Sequence, residues 1–167
     1  DKNINEIIIN SAGQQVEELS NSSDSRYTIY ESRKSNKITG YAIPIAGKGL
    51  WGTMYGYFAI EPDASTVKGI TFYKHKETPG LGGEVDKDWF KNNFVGKKFV
   101  DIDGSLVSIE VVKGYVSSTD PNAKHKVDGI SGATITGKGV TTFLKSDLEK
   151  YEPYFAKIRK LNEIESL

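Results

Sequence analysis

Cysteine is missing from all 167 residues. That absence excludes disulfides, thiolate metal sites, iron–sulfur clusters, c-type haem attachment and a cysteine nucleophile. Histidine is nearly missing: His75 and His125 are the 2 present, too few for a zinc site built from imidazoles alone. No run approaches the about 18 apolar residues of a membrane-crossing helix. An excess of either charge is lacking as well. Lys+Arg and Asp+Glu are each 22, a formal net charge of zero, which argues against nucleic acid as the main partner. The opening Asp1-Lys2-Asn3-Ile4-Asn5 carries neither a signal peptide nor an initiator Met, so the sequence reads as a processed or excised piece.

What is present is an ordinary folded-domain mixture, 37% hydrophobic and 26% charged, at about one domain's length. Ile4, Ile7, Ile8, Ala12, Val16 and Leu19 recur at three- and four-residue spacing, which predicts an amphipathic helix over roughly 3–20. Polar residues 21–25 form the loop that ends it. The period then changes. Strands are predicted over 27–30, 38–45 (with Pro44 near an edge or end), 54–60 and 67–73, the last two forming an antiparallel hairpin. Residues 77–83 are expected to be irregular, and Trp89, Phe90 and Phe94 predict a short helix over 86–94. Another strand is expected over 107–112, a Gly/Thr loop over 129–139, and a C-terminal helix marked by Val140, Phe143, Leu144, Leu148, Tyr151 and Tyr154. The sum is one α+β domain, a mostly antiparallel sheet with helices at both ends.

Three segments have the composition of a site. Gly47-Lys48-Gly49-Leu50-Trp51-Gly52 reads either as a strand-connecting loop with a packed Trp or as part of a binding surface. In Glu77-Thr78-Pro79-Gly80-Leu81-Gly82-Gly83, Pro79 makes Thr78 extended and the glycines let the backbone approach another surface closely. A long hairpin turn would use glycines too. In Asp128-Gly129-Ile130-Ser131-Gly132-Ala133-Thr134-Ile135-Thr136-Gly137-Lys138-Gly139, small residues and hydroxyls lead into a helix. The N-terminus of that helix is a natural seat for a phosphate. Thr134 and Thr136 serve equally as plain N-caps. Gly132-x-x-x-x-Gly137-Lys138 imitates a nucleotide-binding P-loop, but Gly139 stands where a Ser or Thr must hold Mg²⁺, and residues 126–130 make a poor buried strand.

In combination the three segments resemble one family. Ser131-Gly132-Ala133-Thr134-Ile135-Thr136 is similar to the S-G-A-T-x-T flavinylation motif of covalent FMN-binding domains. Such domains occur in the Na⁺-translocating NADH:quinone oxidoreductase and in the related Rnf complex. Glu77 to Gly82 resembles a signature of both, and Gly47 to Trp51 with Met54-Tyr55-Gly56 points to the quinone oxidoreductase branch. The resemblance runs from about Tyr27 to the helix after Thr136.

It implies an electron carrier of a membrane complex, with FMN joined through its phosphate to the Thr136 oxygen. A separate Mg²⁺-dependent flavin transferase makes that bond from FAD. It places the domain on the periplasmic face of the bacterial inner membrane, behind an N-terminal anchor, among the other subunits of the redox complex. The implied organisation is an N-terminal helix and loop over 1–24 following the anchor, an FMN-binding domain over 25–160, and a tail over 161–167. A domain made in the cytoplasm, away from its transferase, is expected to lack flavin.

The candidate cofactor contacts are Gly49, Leu50, Trp51, Glu77, Thr78, Gly80, Leu81, Gly82, Ser131, Gly132, Ala133, Thr134 and Lys138. Of these, Leu50, Trp51 and Leu81 are expected against the flavin ring. Thr78 and the backbone near 80–83 are candidate donors to it. Lys138 is read either as the phosphate's counter-charge or as a solvated lysine. Glu77 suits a cap or brace better than a ring contact, since a carboxylate beside reduced flavin is unfavourable. His75 is either a proton shuttle or a strand-end histidine. The alternatives are an Rnf-type carrier, a scaffold of the same fold without flavin, and the nucleotide-binding enzyme suggested by the partial P-loop.

Overall fold

A computed structural model of the chain describes residues 2–17 and 23–167. Five strands form an antiparallel meander in the order β1-β2-β3-β4-β5, running Lys2–Asn10, Arg26–Lys34, Lys37–Lys48, Thr53–Ile60 and Val67–Lys74. A 3₁₀ turn over Gly82–Asp86 precedes the short helix α1, Asp88–Asn92. Two-residue strands β6, Glu110–Val111, and β7, Lys126–Val127, pair in parallel. The long helix α2 spans Thr134–Glu165.

The expected N-terminal helix is a strand. Ile7 and Ile9 are buried while Ile4 is exposed, which is a period of two along β1, and its register with β2 runs unbroken from Lys2↔Lys34 to Asn10↔Arg26. Three consecutive β-branched residues, Ile7 to Ile9, favour a pleated strand over a helix, where each loses rotamer freedom. Their three- and four-residue spacing to Ile4 is incidental. Ala12, counted on the helix's apolar face, is exposed. The rest of that predicted helix and the start of its loop, residues 18–22, lie outside the described residues.

Four of the five predicted strands are present as β2 to β5, and β4 and β5 form the expected hairpin. Pro44 lies beyond Ala42, the last β3 residue paired with β2, so its missing N–H interrupts no ladder. Two residues on, Ala46 donates its free edge N–H to the buried Asp147 carboxylate of α2 at 2.8 Å. The strand expected over 107–112 is reduced to Glu110–Val111. Irregularity ends at Gly82, where the 3₁₀ turn begins, and the Gly/Thr loop ends at Thr134, where α2 begins. Residues 161–165 of the C-terminal segment are the last turns of α2, which ends at Glu165.

Alternation decides the layering. Met54, Phe58 and Ile60 of β4 are buried, while Tyr55 and Tyr57 between them are exposed. The core therefore lies on one face of the sheet, as in antiparallel sheets with one solvated side. There Phe143 of α2 meets Phe72, Tyr151 meets Tyr27, and Phe155 meets Tyr41, with ring centroids 6.4, 5.7 and 5.4 Å apart. Farther along the same face Phe58 packs edge-on against Phe99 at 5.7 Å. Two glycines bring α2 down onto β3. A Cβ on Gly47 would stand 2.0 Å from the Phe143 Cβ, and one on Gly139 would stand 2.4 Å from the Lys48 carbonyl oxygen. This contact lowers the start of α2 onto the β3–β4 turn.

Candidate functional site

The β3–β4 turn, the loop after β5 and the first turn of α2 converge on one side chain. The buried carboxylate of Glu77 accepts the Leu50 N–H at 2.7 Å and the Trp51 N–H at 2.9 Å. It also accepts the Thr136 hydroxyl at 2.7 Å. Burial raises its pKa, but the two amides and the hydroxyl outweigh that and hold it below the ordinary carboxylate value. Glu77 is thus an ionised brace between the loops, one of the readings the sequence left open.

Glycines make the close approach possible. A Cβ on Gly49 would lie 2.6 Å from Glu77 Oε1, and one on Gly82 would lie 2.5 Å from Thr136 Oγ1. Gly80 and Gly132 have φ of +75° and +73°, the left-handed region that favours glycine.

Thr136 is buried on the first turn of α2. Neither threonine is the N-cap: that place belongs to Ala133, and no side chain caps this end. The first-turn amides therefore lack the partners that a capping side chain supplies, next to the Thr136 oxygen. A cavity of about 30 Å³ opens beside it, lined by Leu50, Trp51, Thr78, Leu81, Gly132 and Ala133 among others. Its apolar rim is open to solvent, with Leu50, Trp51 and Leu81 each exposed.

Not every expected contact joins this cavity. Residues two apart on a helix face nearly opposite ways, and Lys138 lines a separate groove with Glu110, Lys113 and Thr134. It does not stand beside Thr136. Ser131 and Gly80 line a third, open groove of about 470 Å³ with Trp89 and Tyr115. Those two aromatics were not foreseen, because Trp89 sits in a core-like helical pattern and Tyr115 in an unpatterned loop. The N–H groups of Leu81 and Gly83 are engaged by the Thr78 carbonyl at 3.0 and 2.9 Å, so these two are not free donors. His75 takes the strand-end role: its Nδ1 accepts the Glu77 N–H at 3.1 Å and its Nε2 meets Asp86 at 3.0 Å. Asp147, whose carboxylate holds the β3 edge, had no signal in the sequence. The P-loop imitation fails on packing, since Gly137 and Gly139 seat α2 against Val111 and the Lys48 carbonyl.

The sequence profile of the FMN-binding domain family matches residues 49–149, from the β3–β4 turn through the middle of α2. The chain belongs to the FMN-binding domain family. Within this family it is 43% identical over 138 residues to the C subunit of the Na⁺-translocating NADH-quinone reductase of Pseudomonas aeruginosa, covering 81% of this chain and 52% of that one. To the corresponding reductase subunit of Yersinia pestis it is 42% identical over 126 residues, covering 74% and 46%. The chain thus spans about half the length of these relatives. Among solved structures, the C subunit of the Parabacteroides distasonis reductase superposes with a TM-score of 0.78 at 34% identity, over 90% of this chain and 77% of that one. The NqrC of Shewanella oneidensis superposes with a TM-score of 0.80 at 27% identity, over 94% and 84%. These family members share the mixed α+β architecture, and the FMN-binding domain profile spans all three converging loops.

Proposed function

We propose that this FMN-binding domain is the electron-carrying part of the C subunit of a Na⁺-translocating NADH-quinone reductase, with FMN esterified through its phosphate to Thr136. One observation carries the reading. The Thr136 hydroxyl sits on an uncapped helix N-terminus, beside a buried carboxylate, in a cradle kept open by Gly82 and Gly132. These residues suit a flavin phosphate. The first-turn amides and the positive end of the α2 dipole would offset the phosphodiester's charge. Leu50, Trp51 and Leu81 offer exposed apolar surface at the cavity's rim. A cavity of about 30 Å³ does not admit a three-ring system, so the ring is assigned to that rim.

FMN, when bound, supplies the group that takes up and passes on electrons one at a time. The chain's own part is to hold the phosphate, shield one side of the ring and tune its hydrogen bonding. The reading also assigns maturation by a flavin transferase acting on FAD, anchoring by a preceding segment in the bacterial inner membrane with the domain on the periplasmic side, and partner subunits that give and receive the electrons.

The test is intact mass after denaturation of protein co-expressed with an active flavin transferase. The expected gain equals FMN less one water, on the peptide that holds Thr136. Thr136→Ala is expected to gain nothing while keeping its circular dichroism. A wild-type protein that stays at its unmodified mass, beside a control domain that is flavinylated, would overturn the covalent reading.

A further inference from the structure

We infer that Glu77, besides bracing the loops, is the proton acceptor for the attachment reaction at Thr136. The inference rests on the covalent reading above. An alcohol attacks phosphorus poorly unless a base takes its proton. Among the described residues the Thr136 hydroxyl donates to Glu77 Oε1, at 2.7 Å, with both residues buried. A candidate base must stand within hydrogen-bond reach of the proton it removes, and this one does.

The carboxylate is also fixed in direction. Leu50 N–H holds Oε1 at 2.7 Å, Trp51 N–H holds Oε2 at 2.9 Å, and the Glu77 backbone N–H is held by His75 at 3.1 Å. Gly49 and Gly82 supply the space, since a methyl group on either would stand within 2.6 Å of the carboxylate or the hydroxyl oxygen. A brace for the β3–β4 turn needs only the two amides. The third bond, from a hydroxyl 59 residues away, ties the first turn of α2 to the same carboxylate and aims the hydroxyl proton at it.

The step balances as follows. Thr136 Oγ bonds to the flavin-side phosphorus of a flavin dinucleotide bound by the transferase. The bond from that phosphorus to the bridging oxygen breaks, and the adenylate leaves as AMP. The hydroxyl proton passes to Glu77 and from there to water, and nothing is oxidised or reduced. Among the described residues, the groups facing Glu77 come from three elements. The turn after β3 presents amides and α2 presents the Thr136 hydroxyl. The loop after β5 presents His75, itself paired with Asp86, which also meets Lys87. Glu77 is held below the ordinary carboxylate range, so it is in its basic form throughout the physiological range.

The experiment follows FMN incorporation by intact mass, using purified transferase, FAD and Mg²⁺, between pH 6 and 9. Wild type is compared with Glu77→Gln and Glu77→Ala, the transferase's own pH response cancelling in the ratio. Glu77→Gln is expected to slow incorporation by about 100-fold, the deficit narrowing as pH rises and hydroxide replaces the missing base. Incorporation by Glu77→Gln at the wild-type rate overturns the proposal. So does a slowing whose ratio to wild type is constant with pH, which would mark a brace alone. If Glu77→Gln does not fold, Glu77→Ala decides: incorporation restored by added formate but not by added chloride supports the proposal, because formate replaces the missing carboxylate base, and no restoration by formate overturns it. A wild-type domain that takes up no flavin fails the covalent reading itself, a separate result.

Discussion

Two absent methyl groups decide the site at the residue scale. Gly82→Ala would place its Cβ 2.5 Å from Thr136 Oγ1 and 3.1 Å from the Glu77 Cβ. Overpacking of this kind costs about 1–3 kcal/mol. We expect a lower melting temperature and markedly less covalent flavin by mass, since the hydroxyl must leave its position. Glu77→Gln tests the charge. A carboxylate whose folded pKa lies below its unfolded value stabilises the fold above the unfolded value, about 4.3, and that stability is lost as pH falls through the folded value. Removing hydrogen bonds to a charged acceptor should cost about 1–3 kcal/mol at pH 7. Urea unfolding should show the difference at pH 7 and a shrinking one as the pH drops below about 4.3. An equal penalty at both pH values would mean that Glu77 is neutral in the fold.

At the scale of elements, α2 and β3 are coupled by shape and by one buried acceptor. An alanine in a helix interior is ordinarily better than glycine by about 1 kcal/mol. At Gly139 that sign reverses, because the new Cβ would meet the Lys48 carbonyl at 2.4 Å, and backbone cannot step aside as a side chain can. Thermal melts of Gly139→Ala should show a lower midpoint. A higher midpoint would show that α2 can lift from β3 without cost. Asp147→Ala removes the acceptor for the Ala46 N–H. An orphaned buried donor costs about 1–3 kcal/mol, and fast hydrogen exchange at Ala46 should accompany the loss. The N-terminal element carries a different lesson. Its apolar spacing admits a helical stripe, its run of β-branched residues favours a strand, and β2 settles the matter by offering an edge for Lys2–Asn10 to pair with.

The whole molecule has one packed face and one open one. Its open face carries a row of tyrosines, Tyr30, Tyr57, Tyr73 and Tyr55, with successive ring centroids 6.1, 5.6 and 6.4 Å apart. Among the described residues no helix is long and apolar enough to cross a membrane. Several carboxylates share Glu77's direction of shift. Asp63 is held below its ordinary range although burial raises it, through bonds from Thr66 and Ser65, and Asp86 chiefly through His75. Each stabilises the fold above the unfolded Asp value, about 3.9, and is lost as pH falls below it. The domain should therefore lose stability as pH falls through the carboxylate range, which chemical denaturation across pH 3–6 would measure; a flat profile would contradict these shifts. Calorimetric titration with ATP and Mg²⁺ should be flat, since Gly137, Lys138 and Gly139 serve packing and solvent and do not form a phosphate loop.

Much of this was legible in the linear chain. Four strands, the hairpin and the C-terminal helix follow from the alternation of apolar residues with polar ones and from the helical spacing after Val140, signals carried by neighbours in sequence. The three segments of the site were legible for the same reason, since glycine, proline and hydroxyl clusters mark loops by their own backbone chemistry. Tertiary structure decided the rest. It made the first element a strand, because pairing partners outweigh a borderline period. It separated Lys138 from Thr136, because a helix turns two adjacent-looking residues to opposite sides. It also brought Glu77 to Thr136 across 59 residues, a contact that no local pattern encodes, because it exists only once α2 has settled through its glycines onto β3.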